Sequence, residues 1–212
     1  MSTPDHSIDP RILESAKKEF LEKGYDKAAL KTICENAGIT TGAVYKRYKG
    51  KEDLFCAVVA DTVSDFDNIL EMRSNNNAED IPDDELVRMW AMEKEDMMWW
   101  FKFINDRHDG FVLLLQCAQG TAYSNFKDEW VEKMAENTGR YLQEAQRRNL
   151  ARTDISQKEL HIALSAFWTT IYEPFIYGYS WEQLEKHAEL MCSLFNWHKM
   201  FGFKSLVKNE QE

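Results

Sequence analysis

The chain has 212 residues, of which 44% are hydrophobic, so it is long enough to bury a core without disulfides or metals. Its four cysteines form no Cys-x-x-Cys pair, which excludes a secreted disulfide scaffold and predicts buried free thiols in a reducing compartment. No stretch approaches the roughly 20 apolar residues of a membrane span, and residues 1–9 contain no signal-peptide pattern. We therefore expect a cytoplasmic protein with no membrane partner.

The net charge of −10 by itself argues against binding to nucleic acid, but the charge is unevenly distributed. Residues 1–51 contain ten basic and seven acidic residues, a balance of +3, whereas residues 52–212 have a balance of −13. Residues 40–51 contain four basic residues and no acidic one. A basic tip on an acidic body predicts a DNA-binding region near the N-terminus.

Four helices are predicted in the first third of the chain. Asp9 and Pro10 are suited to the N-cap and the first position of the first helix, and Gly24 is suited to its end. Gly38 ends the second helix, and Lys51 begins a long fourth helix. These helices are expected over about residues 9–23, 28–36, 40–48 and 51–74.

Five further helices are predicted in the remaining sequence. Ser156 with Glu159 and Ser180 with Gln183 form capping boxes that open the last two. No segment alternates like a β-strand, so the fold class is all-α with about nine helices. The five helices are expected over about residues 83–106, 110–123, 126–148, 156–177 and 180–201.

Residues 31–48 have the pattern of a helix-turn-helix. Ala37 is small where the two helices cross, and Gly38 permits the positive φ that the sharp turn needs. The second helix is then the recognition helix, whose outer face meets the major groove of DNA. The residues expected on that face are Thr41, Gly42, Lys46 and Arg47.

Residues 9–60 resemble the TetR family of bacterial regulators. The resemblance rests on Phe20, Gly24-Tyr25, Ile33, Ala37-Gly38-Ile39, Thr40, Gly42, Val44-Tyr45, Tyr48 and the run of residues 49–55. It implies a helix-turn-helix DNA-binding domain over residues 1–52 and a helical ligand-binding and dimerisation domain over residues 53–212. It further implies a homodimeric regulator, a repressor that a small apolar or aromatic effector releases from a palindromic double-stranded DNA operator.

The resemblance also implies roles for individual residues in DNA binding. Tyr45 and Lys51 would contact phosphates, and Arg47 could bond a guanine bidentately. One departure is Ala28-Ala29, where the family usually has Thr or Ser, so Asp26 is a candidate cap one turn earlier. Lys31 or Thr32 could then replace the lost phosphate contact. The expected DNA-binding residues are Lys31, Thr32, Thr40, Thr41, Gly42, Tyr45, Lys46, Arg47 and Lys51.

The C-terminal part is rich in aromatic residues, and all seven tryptophans lie between Trp90 and Trp197. These side chains either form a packed core, with Glu93 reaching the surface, or enclose a ligand pocket, as the resemblance implies. An aromatic box with carboxylates would suit a cationic apolar ligand. The candidate ligand-binding residues are Trp90, Glu93, Met97, Trp100, Phe111, Gln116, Trp130, Phe167, Trp168 and Tyr172.

The last two long helices carry the pattern of a dimer interface. The final helix has two apolar stripes, one of which can pack against the core while the other packs against a twofold-related partner. Pro174 should kink or end the preceding helix. The alternative is a monomer that buries both stripes. The candidate interface residues are Leu164, Ile171, Phe175, Leu190, Leu194, Trp197 and Phe201.

No motif for catalysis or for a metal is present. None of the five histidines stands in a metal-binding pattern, and the sequence lacks G-x-S-x-G, Walker and G-x-G-x-x-G motifs. We therefore expect no metal, no cofactor and no enzymatic activity. The alternative function is a small-molecule-binding helical protein with a vestigial DNA-binding head, which Ala29 and the acidic net charge support.

Overall fold

The structure, a computed structural model, describes residues 9–74 and 76–203, except for the side chain of Arg73. In this part of the chain all regular structure is helical, which confirms the all-α fold class. Two short turns supplement the α-helices, a 3-10 turn at Ala78–Asp80 and a π-helical turn at Leu113–Cys117. The α-helices are α1 (Asp9–Lys27), α2 (Leu30–Ala37), α3 (Thr41–Tyr45), α4 (Lys51–Ser74), α5 (Asp83–Arg88), α6 (Lys94–Asn105), α7 (His108–Val112), α8 (Phe126–Arg147), α9 (Gln157–Ile176), α10 (Trp181–Leu194) and α11 (Trp197–Met200).

The first of two compact units contains the described residues up to Asp67 together with Arg107–Asp128. Its core centres on Phe20, whose ring lies 5.1 Å from that of Phe55 in an edge-on contact. The π-helical turn Leu113–Cys117 packs against α1 and adds its leucines to this core. A segment distant in sequence therefore completes the core of the helix-turn-helix.

Two glycines shape the helix-turn-helix as the sequence predicts. Gly24 interrupts α1 with φ 73° and ψ 163°, and one more helical turn follows it. Gly38 ends α2 in the left-handed conformation, with φ 65° and ψ 39°. Both backbone conformations strongly favour glycine, because a Cβ atom makes positive φ costly for other residues.

The second compact unit contains Asn68–Asp106 and the described residues from Glu129 onward. Trp168, on α9, lies at its centre and makes edge-on ring contacts with Trp100 at 4.7 Å and with Trp130 at 5.4 Å. Phe167 in turn contacts Trp197 at 5.6 Å. Edge-on contacts are favourable between aromatic rings, so these contacts fix the relative positions of α6, α8, α9 and α11.

These units divide the chain at other places than the boundary expected between residues 52 and 53. The long helix α4 passes through that boundary without a break and contributes to both units. Residues 107–128, which we expected in the C-terminal domain, belong to the first unit because their leucines complete its core. The outer ends of the two expected domains, residues 1–8 and 204–212, lie outside the described residues.

Four of the predicted helices are shorter or broken in the structure, and one of them is α3, which ends at Tyr45 rather than at about Tyr48. The helix expected over residues 83–106 is two helices, because Glu93 is in extended backbone (φ −102°, ψ 166°) and α6 begins after it. The last helix breaks at Phe195, and Asn196 then caps α11 by accepting a hydrogen bond from the Lys199 N–H at 2.9 Å. The helix expected over residues 110–123 ends in the π-helical turn.

The capping boxes predicted at Ser156 and Ser180 are both present, so the starts of α9 and α10 are confirmed. Pro174 lies inside α9, which ends two residues later at Ile176. Within the described residues, no helix is both long enough and apolar enough to cross a membrane.

Arg148, directly after α8, ties the loop before α5 to α8 within the second unit. Its guanidinium donates to the carbonyl oxygens of Ile81 at 2.7 Å and Glu79 at 2.8 Å, and to the carboxylate of Glu144 at 2.6 Å. Glu144 is buried and also accepts from Arg147. The hydrogen bonds from Arg147 and Arg148 lower the pKa of Glu144 from 4.5 to about 2.

We predict that this network makes the stability of the protein depend on pH. Because the pKa of Glu144 is lowered in the folded state, its contribution is present above about pH 4.5 and is lost as the pH falls toward 2. Glu144→Gln should therefore lose less stability than the wild type between pH 5 and pH 3, measured by urea unfolding. The same change at exposed Glu132, outside this network, is the control, and an unaltered pH dependence in Glu144→Gln would contradict the role given to the carboxylate.

Candidate nucleic-acid interface and ligand cavity

The recognition helix α3 presents a small exposed surface beside a buried anchor. Val44 is fully buried in the core of the first unit, whereas Tyr45, next to it in sequence, is 57% exposed. A Cβ atom at Gly42 would meet only the Thr40 hydroxyl oxygen, at 3.9 Å, so the surface around Gly42 is open to close approach. We call the exposed residues Thr41, Gly42, Tyr45 and Lys46 the recognition surface.

Thr40 fixes the start of α3. Its backbone is extended (φ −89°, ψ 152°), and its hydroxyl oxygen accepts a hydrogen bond from the Ala43 N–H at 3.3 Å. Such an N-cap stabilises a helix by about 1 kcal/mol, which matters for a helix of only five residues. Thr40, expected to bind DNA, therefore has a structural role in positioning the recognition surface.

Arg47 follows α3 and is turned back toward the protein. Its guanidinium pairs with the carboxylate of Asp9 and donates to the Ala43 carbonyl at 3.3 Å. To bond a guanine, the side chain would have to leave both partners. The contact of Arg47 with a base stays a prediction, and the hydrogen bonds to Asp9 and to the Ala43 carbonyl compete with it.

Lys51, at the start of α4, is likewise engaged within the first unit. Its ammonium donates to the carbonyl oxygens of Asp26 at 3.0 Å and Ala28 at 3.1 Å, and lies 4.5 Å from the centre of the Tyr25 ring. These contacts hold the connection between α1 and α2. To contact a phosphate as predicted, the Lys51 ammonium would have to break at least one of these contacts.

The start of α2 is stabilised by a residue that the sequence interpretation missed. Glu19, a buried residue of α1, accepts a hydrogen bond from the Ala29 N–H at 3.1 Å. We expected Asp26 to cap this region, but its carboxylate is exposed and only its carbonyl oxygen takes part. An inward-facing glutamate in the third turn of α1 was the available signal. Lys31 is exposed and 3.8 Å from Glu35, and Thr32 is half-buried.

The second unit contains a cavity of about 440 Å³ that is lined mainly by aromatic and methionine side chains. Six aromatic residues line it: Trp90, Trp99, Trp100, Phe167, Trp168 and Trp197. Five methionines line it as well: Met72, Met89, Met92, Met97 and Met134. We call this space the aromatic cavity. Its volume lies within the range of about 300–1,000 Å³ that is typical of small-molecule sites.

Two helix breaks create much of this lining. Residues 89–92, between α5 and α6, all contribute to the cavity, because the chain leaves the helix there before Glu93 starts the next one. Trp197 reaches the cavity from the start of α11, directly after the second break. Unbroken helices would have placed these residues differently.

Half of the predicted ligand-binding residues line the cavity, namely Trp90, Met97, Trp100, Phe167 and Trp168. The other five do not. Glu93 is exposed at the N-cap of α6, Tyr172 bonds Thr169 at 3.2 Å, and Trp130 packs behind Trp168. Phe111 and Gln116 belong to the first unit, where Phe111 stacks on Phe66. For Glu93, Phe111 and Gln116 the helical periodicity was misleading, since it assumed one unbroken helix over residues 83–106 and placed a helix over residues 110–123 in the C-terminal domain.

Four of the five methionines in the lining, all except Met97, were not predicted. A signal was present, since Met89, Met92, Met97 and Met98 lie within ten residues. Thr138 and Asp96 were missed as well and supply polar groups at the cavity. The aromatic box that we considered has one carboxylate in its lining, that of Asp96, whereas Glu93 and Gln116 lie elsewhere.

The predicted dimer interface is partly wrong. Five of its residues are buried inside the second unit, so their side chains are unavailable to a second copy: Leu164, Ile171, Phe175, Trp197 and Phe201. Leu190 and Leu194, on α10, are 62% and 64% exposed, and Ile162 and Ile176 are exposed on α9. A monomer that buries both stripes of the final helix is therefore inconsistent with the structure, because one stripe lies at the surface.

Within the described residues, no three His, Cys, Asp or Glu side chains are grouped so as to hold a metal ion.

Residues 12–58 match the sequence model of a family described as bacterial regulatory proteins, tetR family. This segment contains the core of α1, all of α2 and α3, and the start of α4, which together form the helix-turn-helix described above.

The helix-turn-helix segment is thus similar to the TetR family of bacterial regulators. The chain is 25% identical over 202 residues to the transcriptional repressor AcnR of Corynebacterium efficiens, a match that covers 90% of this chain and 95% of AcnR. It is 34% identical over 59 residues to the transcriptional regulator UidR of Escherichia coli K12, which covers 28% of this chain and 30% of UidR. Both relatives are named transcription regulators.

A solved structure shares the fold of nearly the whole chain. The SmeT–triclosan complex has a TM-score of 0.65 at 16% identity and covers 95% of this chain and 94% of that one. SmeT is described as the repressor of a multidrug efflux pump of Stenotrophomonas maltophilia. At this identity the likeness concerns the fold alone.

Thr40→Ala should destabilise the first unit by about 1 kcal/mol, because the first turn of α3 loses its cap. Thr41→Ala is a matched control, since Thr41 is exposed and is the residue after the cap. Urea unfolding of both variants measures the difference. Equal stabilities would show that the hydroxyl of Thr40 contributes nothing to α3.

Proposed function

We propose that this chain is a cytoplasmic, homodimeric repressor of the TetR family that binds a palindromic operator and releases it when a small apolar effector enters the aromatic cavity. The observation that carries the proposal is the presence of two separate sites, an exposed recognition surface on α3 and a half-open aromatic cavity in the other unit. Each site lies within one compact unit. Allosteric regulation requires two such distinct sites.

The DNA side of the proposal is supported by the shape and charge of the recognition surface. Val44 anchors α3 from below, and Gly42 leaves room for the backbone to approach a groove. Tyr45 and Lys46 then offer a hydroxyl and an ammonium group, both suited to phosphates. One such helix reads a half-site, so two copies about one DNA turn apart would match a palindrome.

The helix α4 is the link we propose between the two sites. Its first residue, Lys51, holds the connection between α1 and α2, which precedes the recognition helix. Its last turns supply Ile69 and Met72 to the lining of the aromatic cavity. A ligand that displaces these two side chains would bias the position of the whole helix, and an α-helix transmits such a shift along its axis. The ligand acts only if its affinity differs between the two positions.

Dimerisation is proposed through the exposed apolar faces of α9 and α10. Leu190 and Leu194 are spaced one turn apart on α10, and Ile162 and Ile176 are exposed on α9. Two helices from each protomer would form a four-helix interface with the same patch on both sides.

The relatives support the same function. AcnR, which aligns with nearly the whole chain, is named a transcriptional repressor. SmeT has been solved in complex with triclosan, a small molecule. We carry from these proteins only the classes of partner, an operator and a small ligand.

The alternative, a ligand-binding protein with a vestigial DNA-binding head, is favoured by one observation. Arg47 and Lys51, two of the four basic residues near the recognition helix, have protein partners. DNA affinity distinguishes the two functions, because a vestigial head would bind operator and scrambled DNA equally weakly.

Tyr45→Ala should weaken binding to DNA from upstream of the protein's own gene by roughly ten- to a hundredfold, the effect of losing one specific contact. Lys46→Ala should also lower the salt dependence of binding, by about one counterion. Fluorescence anisotropy of labelled DNA at several salt concentrations measures both effects.

Lys102→Ala is the control for this experiment, because Lys102 is an exposed lysine of the second unit. Unchanged operator affinity in Tyr45→Ala would refute the assignment of α3 as the recognition helix. Weak binding of the wild type, equal on upstream and scrambled DNA, would favour the vestigial head.

Leu190→Glu combined with Leu194→Glu should convert the dimer into a folded monomer, because four charges would face each other at a twofold interface. Analytical ultracentrifugation measures the mass, and circular dichroism checks the fold. Gln143→Glu, an exposed position on α8, is the control for added charge. A variant that remains dimeric would place the interface elsewhere.

A further inference from the structure

The aromatic cavity is lined by residues that attract positive charge. Five of its six aromatic residues are tryptophans, and among aromatic side chains the negative face of a tryptophan ring binds cations best. Trp100 meets Trp99 edge-on at 4.8 Å and Trp168 at 4.7 Å, so three of these rings form one continuous group. Trp99 is 52% exposed, and part of this group is therefore open to a molecule that arrives from solvent.

A carboxylate lies beside the exposed part of this group. The described residues that line the cavity include Asp96 but no Glu, Lys, Arg or His. Asp96 stands three residues before Trp99 and four before Trp100 in α6, and side chains at these spacings are neighbours on one face of a helix. The carboxylate and the two rings therefore form one continuous part of the lining.

The carboxylate of Asp96 is held in place with one oxygen left for a ligand. Its Oδ2 accepts a hydrogen bond from the Glu93 N–H at 2.9 Å, whereas Oδ1 has no hydrogen-bond partner among the described residues. Lys94, the nearest basic residue along the chain, pairs instead with Glu189 on α10 at 2.7 Å. Lys94 therefore does not neutralise Asp96.

The charge of the surrounding unit acts in the same direction. Residues 68–106 and 129–203 of the second unit include 20 acidic and 12 basic residues, a balance of −8. A negative potential of this kind raises the local concentration of cations at a cleft. An anionic ligand would meet the Asp96 carboxylate with no basic residue beside it in the described lining, and a neutral ligand would gain neither attraction.

We infer that the effector is a largely apolar organic cation, with an aromatic or aliphatic body and one ammonium group. The body packs among the aromatic rings and the flexible methionines, which adapt to its outline. The ammonium group binds where the Asp96 carboxylate adjoins the ring of Trp99. This inference rests on the proposed function, since it names the class of ligand for the same cavity.

Three probes of nearly equal shape and different charge test the inference. Benzyl(2-hydroxyethyl)dimethylammonium and 3,3-dimethyl-4-phenylbutan-1-ol differ only in the exchange of the cationic nitrogen for a carbon atom, and 3,3-dimethyl-4-phenylbutanoate is the corresponding anion. Isothermal titration calorimetry with the full-length protein should show about tenfold tighter binding of the cation than of either other probe.

Asp96→Asn removes the charge but keeps an oxygen that can accept the Glu93 N–H, so the start of α6 is preserved. The preference for the cation over the alcohol should fall below about threefold, while the affinity for the alcohol stays unchanged. Glu95→Gln is the matched control, because Glu95 is the neighbouring exposed carboxylate and does not line the cavity. This control should keep the full preference.

Trp99→Leu tests the ring at an exposed position, where the fold depends little on the side chain. The preference for the cation should again decrease, because the ring that adjoins the carboxylate is lost. Trp181→Leu is the control, since Trp181 is 42% exposed and lies outside the cavity.

Three outcomes would overturn the inference: equal or tighter binding of the alcohol to the wild type, tighter binding of the carboxylate, or an unchanged preference in Asp96→Asn. The first two do not depend on how well any variant folds. The proposed function fails separately. If the cation binds with the expected preference but leaves operator affinity unchanged in the anisotropy assay, the ligand class stands and ligand-gated release is wrong.

Discussion

The ammonium of Lys51 donates hydrogen bonds to two carbonyl groups at the point where α1 ends and α2 begins. It meets a constraint that governs the whole chain, because every helix leaves polar backbone groups unpaired at its ends. In the first unit, the carboxylate of Glu19 accepts a hydrogen bond from the Ala29 N–H, and the hydroxyl oxygen of Thr40 accepts one from the Ala43 N–H. Three side chains thus fix the ends of short helices that are too short to be stable alone. The recognition surface is positioned by these contacts together with the buried anchor Val44.

The same constraint shapes the second unit with the opposite result. There, side chains accept hydrogen bonds from backbone N–H groups at the start of a new helix. Each such start interrupts what would otherwise be one long helix. Asp96 accepts from the Glu93 N–H at the start of α6, and Asn196 accepts from the Lys199 N–H at the start of α11. Each break turns aromatic and methionine side chains into the cavity. Cavity formation in this protein is therefore a consequence of where helices stop as much as of which residues are apolar.

These two outcomes give a single chain the two sites that the proposed function needs. The first unit displays polar groups on a short, capped helix, and the second unit surrounds a half-open cavity with aromatic and methionine side chains. The helix α4 contributes to both units and is continuous from Lys51 to Ser74. Regulation of one site by the other then needs no element beyond those that build the fold.

The sequence by itself determined the features that depend on near neighbours. The all-α class, the helix-turn-helix, the glycine turns at Gly24 and Gly38 and the capping boxes at Ser156 and Ser180 follow from spacings of a few residues. Only the tertiary structure decided which face of each apolar helix is buried, because several helices are apolar on more than one side. It therefore decided that Leu190 is exposed while Ile171 is buried, and that Trp90 lines the cavity while Trp130 packs behind it. It also decided the partners of Arg47 and Lys51, which come from residues 38 and 23–25 positions away and leave no local signal.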